Sequence, residues 1–142
     1  MRQWRSGLVM AACLVGALGV AVPATAAAAP VITDLLHVQS GQCLDASVST
    51  GVRLNTCNGG SYQRWDLQGS QLRHVQSGLC LDGSVSGGVR LNACNGGAYQ
   101  QWFSPNGLDF VHGQSGLCLD GSVSGGVRLK ACNGSSYQEW ID

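Results

Sequence analysis

The chain has 142 residues, with eight basic and eight acidic side chains, 21 glycines and only 11% charged residues. Its length admits one domain with one modest core. Its balanced charge leaves no basic footprint, which argues against nucleic acid or an anionic membrane as a partner.

The first segment reads as a targeting signal. Met1–Gly7 carries Arg2 and Arg5 and no acid, Leu8–Val22 is apolar, and Pro23 opens an alanine-rich stretch. That order is the order of a secretory signal peptide, cleaved after Ala24-Thr25-Ala26 or Ala26-Ala27-Ala28. About 15 apolar residues also fall short of the ~20 that a membrane span needs. Residues 1–28 are therefore expected to be removed together with Cys13. What remains, 29–142, is expected to be one secreted domain, free of the membrane and monomeric. Without Arg2 and Arg5, six basic residues face eight acidic ones.

Three near-identical copies follow. Gly41–Trp65 reads GQCLDASVSTGVRLNTCNGGSYQRW, Gly78–Trp102 reads GLCLDGSVSGGVRLNACNGGAYQQW, and Gly116–Trp140 reads GLCLDGSVSGGVRLKACNGSSYQEW. The last two agree at 21 of 25 positions, and successive copies start 37 and 38 residues apart. The extra residue falls in the turn-forming connection Phe103-Ser104-Pro105-Asn106-Gly107. The repeats thus run over about 35–71, 72–107 and 108–142.

Within a copy, Val52-Arg53-Leu54-Asn55 alternates apolar and polar, the signature of a half-buried strand. Asn58-Gly59 suits a tight hairpin turn, and Tyr62-Gln63-Arg64-Trp65 reads as extended again. Leu44, Val52, Leu54 and Trp65, with their counterparts, make a repeated apolar set too small to stabilise one copy alone. After residue 30 no segment keeps a helical apolar period, so the domain is expected to be all-β. Three copies are too few for a propeller of typically four or more blades, which leaves closed threefold packing. His37, His74 and His112 precede the copies in register and are read as hydrogen-bonding a turn.

Six cysteines follow the leader, in pairs 14 residues apart: Cys43 and Cys57, Cys80 and Cys94, Cys118 and Cys132. An even count in a secreted chain points to disulfides. Three pairings respect the threefold repeat, each first cysteine joining its own, the next or the previous second cysteine. The first of these is the simplest. No close cysteine pair suggests zinc, and no metal or cofactor is expected.

C-L-D, V-x-L before a second cysteine, and Q-x-W closing each of three copies together resemble the ricin B-type lectins. The likeness covers residues 35–142. It implies a β-trefoil with pseudo-threefold symmetry, disulfides within each repeat, and up to three shallow sugar sites. It assigns the hydroxyl-accepting carboxylates to Asp45, Asp82 and Asp120, an acceptor-only group that can bridge two donors. It places Gln63, Gln100 and Gln138 behind the site and Trp65, Trp102 and Trp140 in the core.

The copies depart from that pattern at the site wall. Arg53, Arg90 and Arg128 stand where the resemblance expects another polar residue, and Asn55, Asn92 and Lys130 where it expects a stacking aromatic. Strand alternation points both sets outward. Tyr62, Tyr99 and Tyr137 precede the glutamines and offer a flat face and a hydroxyl instead. Lys130 is expected to pair with Asp120 and weaken the third site for neutral sugars. Three functional classes follow. The first is a non-catalytic, potentially multivalent lectin for neutral glycans. The second is a degenerate trefoil that docks or inhibits a protein. The third, an enzyme, lacks any Ser-His-Asp spacing, paired catalytic carboxylates or metal cluster.

Overall fold

After β1 (Val31–Asp34), each copy of the repeat folds as a short opening strand, a hairpin, a tight turn and a closing strand. The first copy gives β2 (Leu36–His37), β3 (Cys43–Ser47), β4 (Gly51–Asn55) and β5 (Arg64–Gln68). The second gives β6 (Gln71–His74), β7 (Cys80–Ser84), β8 (Gly88–Asn92) and β9 (Trp102–Phe103). The third gives β10 (Val111–His112), β11 (Cys118–Ser122), β12 (Gly126–Lys130) and β13 (Trp140–Ile141). This computed structural model describes residues 21–24, 29 and 31–142. The expected leader, Cys13 included, lies outside them apart from the exposed stretch 21–24. Among the described residues no helix is long and apolar enough to cross a membrane.

Closure comes from pairing between copies. The closing strand of each repeat lies antiparallel to the opening strand of the next, with Trp65 opposite His74 and Trp102 opposite His112. The third returns to the first, Trp140 opposite His37, so the ring of three has no free end. β1 adds an outer strand against β5. The result is an all-β trefoil of three sheets.

The three hairpins share one register, and β4, β8 and β12 pack against one another about the pseudo-threefold axis. Each turns through Ser-Val-Ser-x-Gly, and the glycine that enters the second strand has φ of +78°, +72° or +71° at Gly51, Gly88 and Gly126. That left-handed conformation is what glycine supplies at little steric cost.

The core consists of Leu44, Leu81, Leu119 and the three tryptophans, all buried. Each indole also donates Nε1–H to the carbonyl of the C-L-D leucine, at 2.9–3.0 Å. Leu35, Leu72 and Phe110, two residues before the histidines, complete the core. They escape a sequence reading confined to the most similar segments. Val52 and Leu54 and their counterparts are only half-buried, because the axis they line is open to one side. Even so, the Leu54 and Leu129 side chains come within about 3.4 Å of where a Cβ would stand at Gly121 and Gly83, so each repeat packs on a neighbour.

One local expectation is overturned. Asn58-Gly59 makes no hairpin turn and Tyr62-Gln63 is not extended. The Asn58 side chain instead accepts the Gly60 N–H at 2.8 Å, and Ser61–Gln63 forms a 3-10 turn, with the strand resuming only at Arg64. An asparagine that bonds its own backbone two residues on favours such a turn over a ladder. The second copy repeats this at Ala98–Gln100. Disulfides join Cys43 to Cys57, Cys80 to Cys94 and Cys118 to Cys132, all within repeats.

Candidate functional site

Hairpin register creates the site. Asp45 lies directly opposite Arg53, Asp82 opposite Arg90, and Asp120 opposite Arg128. Cross-strand neighbours are close enough to pair, and Arg Nη2 meets Asp Oδ1 at 2.6, 2.7 and 2.7 Å. The other carboxylate oxygen, Oδ2, accepts Nε2–H of Gln63, Gln100 or Gln138 at 3.1–3.2 Å.

These aspartates are not open acceptors, contrary to what alternation along the strand suggests. Asp45, Asp82 and Asp120 are at most 2% exposed. The 3-10 turn roofs the outer face of β3, and its glutamine reaches back 18 residues to grip the carboxylate. The same amide donates to the Thr56 carbonyl and accepts the Asn58 N–H, both at 2.8 Å. Gln100 and Gln138 repeat the three contacts. All three glutamines are fully buried and therefore hold the site from behind.

The arginines are the solvent face of each pair, their side chains 35–41% exposed. The second guanidinium nitrogen is pinned as well. Arg90 Nη1 donates to Ser84 Oγ and Arg128 Nη1 to Ser122 Oγ, at 3.2 and 3.1 Å, while Arg53 Nη1 donates to Thr50 Oγ1. The turn serines were not singled out from the sequence, although S-V-S recurs in every copy. In the last two copies Gly87 and Gly125 stand at the position of Thr50, and a Cβ there would press on the arginine.

Two open concavities lie over these pairs. One, of about 340 Å³, is lined by Asp45, Arg53, Asn55, Asn58 and Tyr62 among others. The other, about 440 Å³, is lined by Asp120, Arg128, Lys130, Asn133 and Tyr137 with Gln39 from the first repeat. Tyr62, Tyr99 and Tyr137 are 42–46% exposed, so each leaves part of its ring free. Asn55 turns partly inward, donating to Asp45 Oδ2 at 3.4 Å, and Asn92 caps the Ala93 N–H. Ser135, in the third copy, places a buried hydroxyl without a partner where the other copies have Gly60 and Gly97.

The expected Lys130–Asp120 ion pair does not form. Arg128 holds that carboxylate, and Lys130 sits at the end of β12 opposite Cys118, two residues along from the position that faces Asp120.

The histidines hold repeats together. Nδ1 of His37, His74 and His112 meets Ser40, Ser77 and Ser115 Oγ at 2.8 Å. Nε2–H donates at 3.0 Å to the backbone carbonyl of Tyr137, Tyr62 or Tyr99, each in the preceding repeat around the ring. Each imidazole thus bonds a turn, as read from the sequence, and also anchors the backbone of a site tyrosine. Burial pushes His74 below its ordinary 6.5, against the opposing pull of the Tyr62 carbonyl and the Asp45 charge. Among the described residues no group of histidines, cysteines and carboxylates could hold a metal ion.

The model of the ricin-type beta-trefoil lectin domain matches residues 31–140. The chain belongs to this family. No curated protein matches it. Among solved structures it is similar to the designed 3-fold symmetric protein ThreeFoil, at 27% identity and TM-score 0.66, covering 78% of this chain and 96% of that one. It is also similar to the hemolytic lectin CEL-III, at 26% identity and TM-score 0.70, covering 78% of this chain and 29% of that one. A non-toxic homologue of type II RIPs from Momordica charantia (bitter gourd), in complex with alpha-methyl-D-galactoside, shares the fold at 22% identity and TM-score 0.69, with 79% and 47% covered. The chain thus spans less than half of these last two. Family membership and the lectin neighbours support a carbohydrate-binding role.

Proposed function

We propose that the chain is a secreted, non-catalytic lectin with one glycan site per repeat, built after a leader over residues 1–28 as a single domain over 29–142. Each site is organised by the aspartate of C-L-D. The carboxylate acts through the arginine it holds: the guanidinium hydrogens left over from the aspartate and the hairpin hydroxyl donate to sugar hydroxyl oxygens. Tyr62, Tyr99 or Tyr137 offers a flat wall for the apolar face of the ring, and Asn55, Asn92 or Lys130 forms the rim. Three weak sites on one body suit multivalent glycans, because engaging one raises the effective concentration at the next.

The observation that carries this reading is the Asp–Arg pair, repeated in three copies with the same partners and a solvent-facing guanidinium. A glycan array probed with the secreted protein tests it. The expected result is binding to neutral glycans that is lost when Arg53, Arg90 and Arg128 are all changed to methionine. Mass analysis of the same product should place its N-terminus near Ala27 or Ala29. The closure of each carboxylate by its own arginine favours a second reading, a trefoil that docks on a protein. A blank array would select it.

A further inference from the structure

The three sites are built alike but are not charged alike. At the first concavity the charged lining residues are Asp45 and Arg53, one of each sign. At the third they are Asp120, Arg128 and Lys130, one positive charge in excess. Lys130 is the one lysine in the chain, and it replaces Asn55 and Asn92 at the same register position. Because Arg128 already satisfies Asp120, the ammonium is not spent on that carboxylate. Among the described residues no carboxylate lies within ion-pairing reach of it. Lys130 is exposed and lines the same 440 Å³ concavity as the guanidinium and the Tyr137 ring. That volume falls within the roughly 300–1,000 Å³ typical of small-ligand sites.

We infer that the third site selects glycans bearing a carboxylate, such as uronic or sialic acid residues, while the first and second take neutral sugars. The inference rests on the lectin reading and refines it. An ammonium and a guanidinium on one wall present a compact charge and a planar donor fork, the two groups that recognise a carboxylate. A neutral hydroxyl gains nothing from the extra charge. An exposed ion pair is worth up to about five-fold in affinity.

Three proteins that each keep one arginine, with the other two changed to methionine, separate the sites. Each is titrated with the methyl glycosides of glucose, galactose and mannose, with the corresponding uronates, and with N-acetylneuraminic acid. The acid-to-neutral affinity ratio should reach about five at the Arg128 site and stay near one at the others. Lys130→Asn should bring it down to the level of the other sites, and Asn55→Lys should raise it at the first. Salt should erase the preference, since screening shortens from about 10 Å at 0.1 M to about 3 Å at 1 M. Equal ratios at all three sites, or a preference that survives Lys130→Asn, would overturn the inference. Absence of binding to any probe by all three proteins would instead overturn the lectin reading, and this inference with it.

Discussion

Replacing Arg90 with methionine removes the guanidinium while keeping most of the aliphatic stem, and its consequences for stability and binding should separate. The pair it breaks is short, 2.7 Å, but lopsided: the arginine side chain is 41% exposed and the aspartate 2%. Two unit charges about 4 Å apart attract by ~4 kcal/mol at an effective dielectric of 20. Most of that is returned when water reaches the uncovered Oδ1, so the net cost should be about 1 kcal/mol, as for exposed pairs. Asp82→Ala is a different perturbation. It leaves the buried Gln100 amide without its carboxylate acceptor and the arginine without its counter-charge, a loss of about 3 kcal/mol. At roughly 5 °C per kcal/mol for a domain of this size, the melting temperature should fall by about 5 °C for Arg90→Met and about 15 °C for Asp82→Ala. Calorimetric melts, with urea titrations to check that the m-value is unchanged, measure both. In a protein whose other two arginines are already methionine, Arg90→Met should remove the remaining glycan binding. Equal destabilisation by the two changes would show that the buried carboxylate depends on its arginine for folding. Retained binding would remove the arginine from the site.

Two further outcomes follow from the packing. The unfolded chain takes up a proton at His74 near 6.5 while the folded one resists it. The unfolded state therefore binds more protons as pH falls below 6.5, and stability drops until the folded imidazole also titrates. Melts between pH 8 and pH 5, with the His74 ring followed by NMR, should show a plateau above about 6.5 and a decline below it, and a flat profile would contradict the burial of this imidazole. Gly83→Ala would set a Cβ 3.2 Å from the Trp102 ring and 3.4 Å from His112 Nε2. The first repeat already carries a buried alanine, Ala46, at the matching position. The tight fit and the gain from a stiffer unfolded chain should therefore cancel to within about 0.5 kcal/mol. A loss above about 2 kcal/mol in urea unfolding would show that the copies are not interchangeable in the core.

Much of the fold is legible because the chain states it three times. Period-2 patterning locates the hairpins, the C-L-D leucine and Q-x-W tryptophan mark the core, and the spacing of the cysteines agrees with the repeat. What escapes is whatever depends on partners far along the chain. Asp45 lies between two inward residues, Leu44 and Ala46, and so reads as facing solvent. Its roof is a turn whose glutamine sits 18 residues later, and no local pattern reports that contact. The asparagine of Asn58-Gly59 prefers to bond its own backbone, which turns an apparent hairpin signal into a 3-10 turn. The lysine failed as a partner for Asp120 for a simpler reason. Proximity along the strand suggested the pair, whereas register assigns the opposite position to Arg128.

The differences among the copies fall into a pattern that bears on how the sites diverge. Every residue of the hydrogen-bonded frame is the same three times: the aspartate, the arginine, the glutamine that spans turn and strand, the tyrosine, the histidine and the tryptophan. At the site the copies differ around that frame, at Thr50, Gly87 and Gly125 in the hairpin tip, at Gly60, Gly97 and Ser135 in the turn, and at Asn55, Asn92 and Lys130 on the rim. A frame residue cannot change alone without stranding a buried partner, which costs more than the contact it loses. A rim residue can change at little cost to folding, because its side chain meets water. Selectivity among the three sites must therefore reside in the rim, where a single side chain, such as Lys130, changes the charge of one site and leaves the other two as they were.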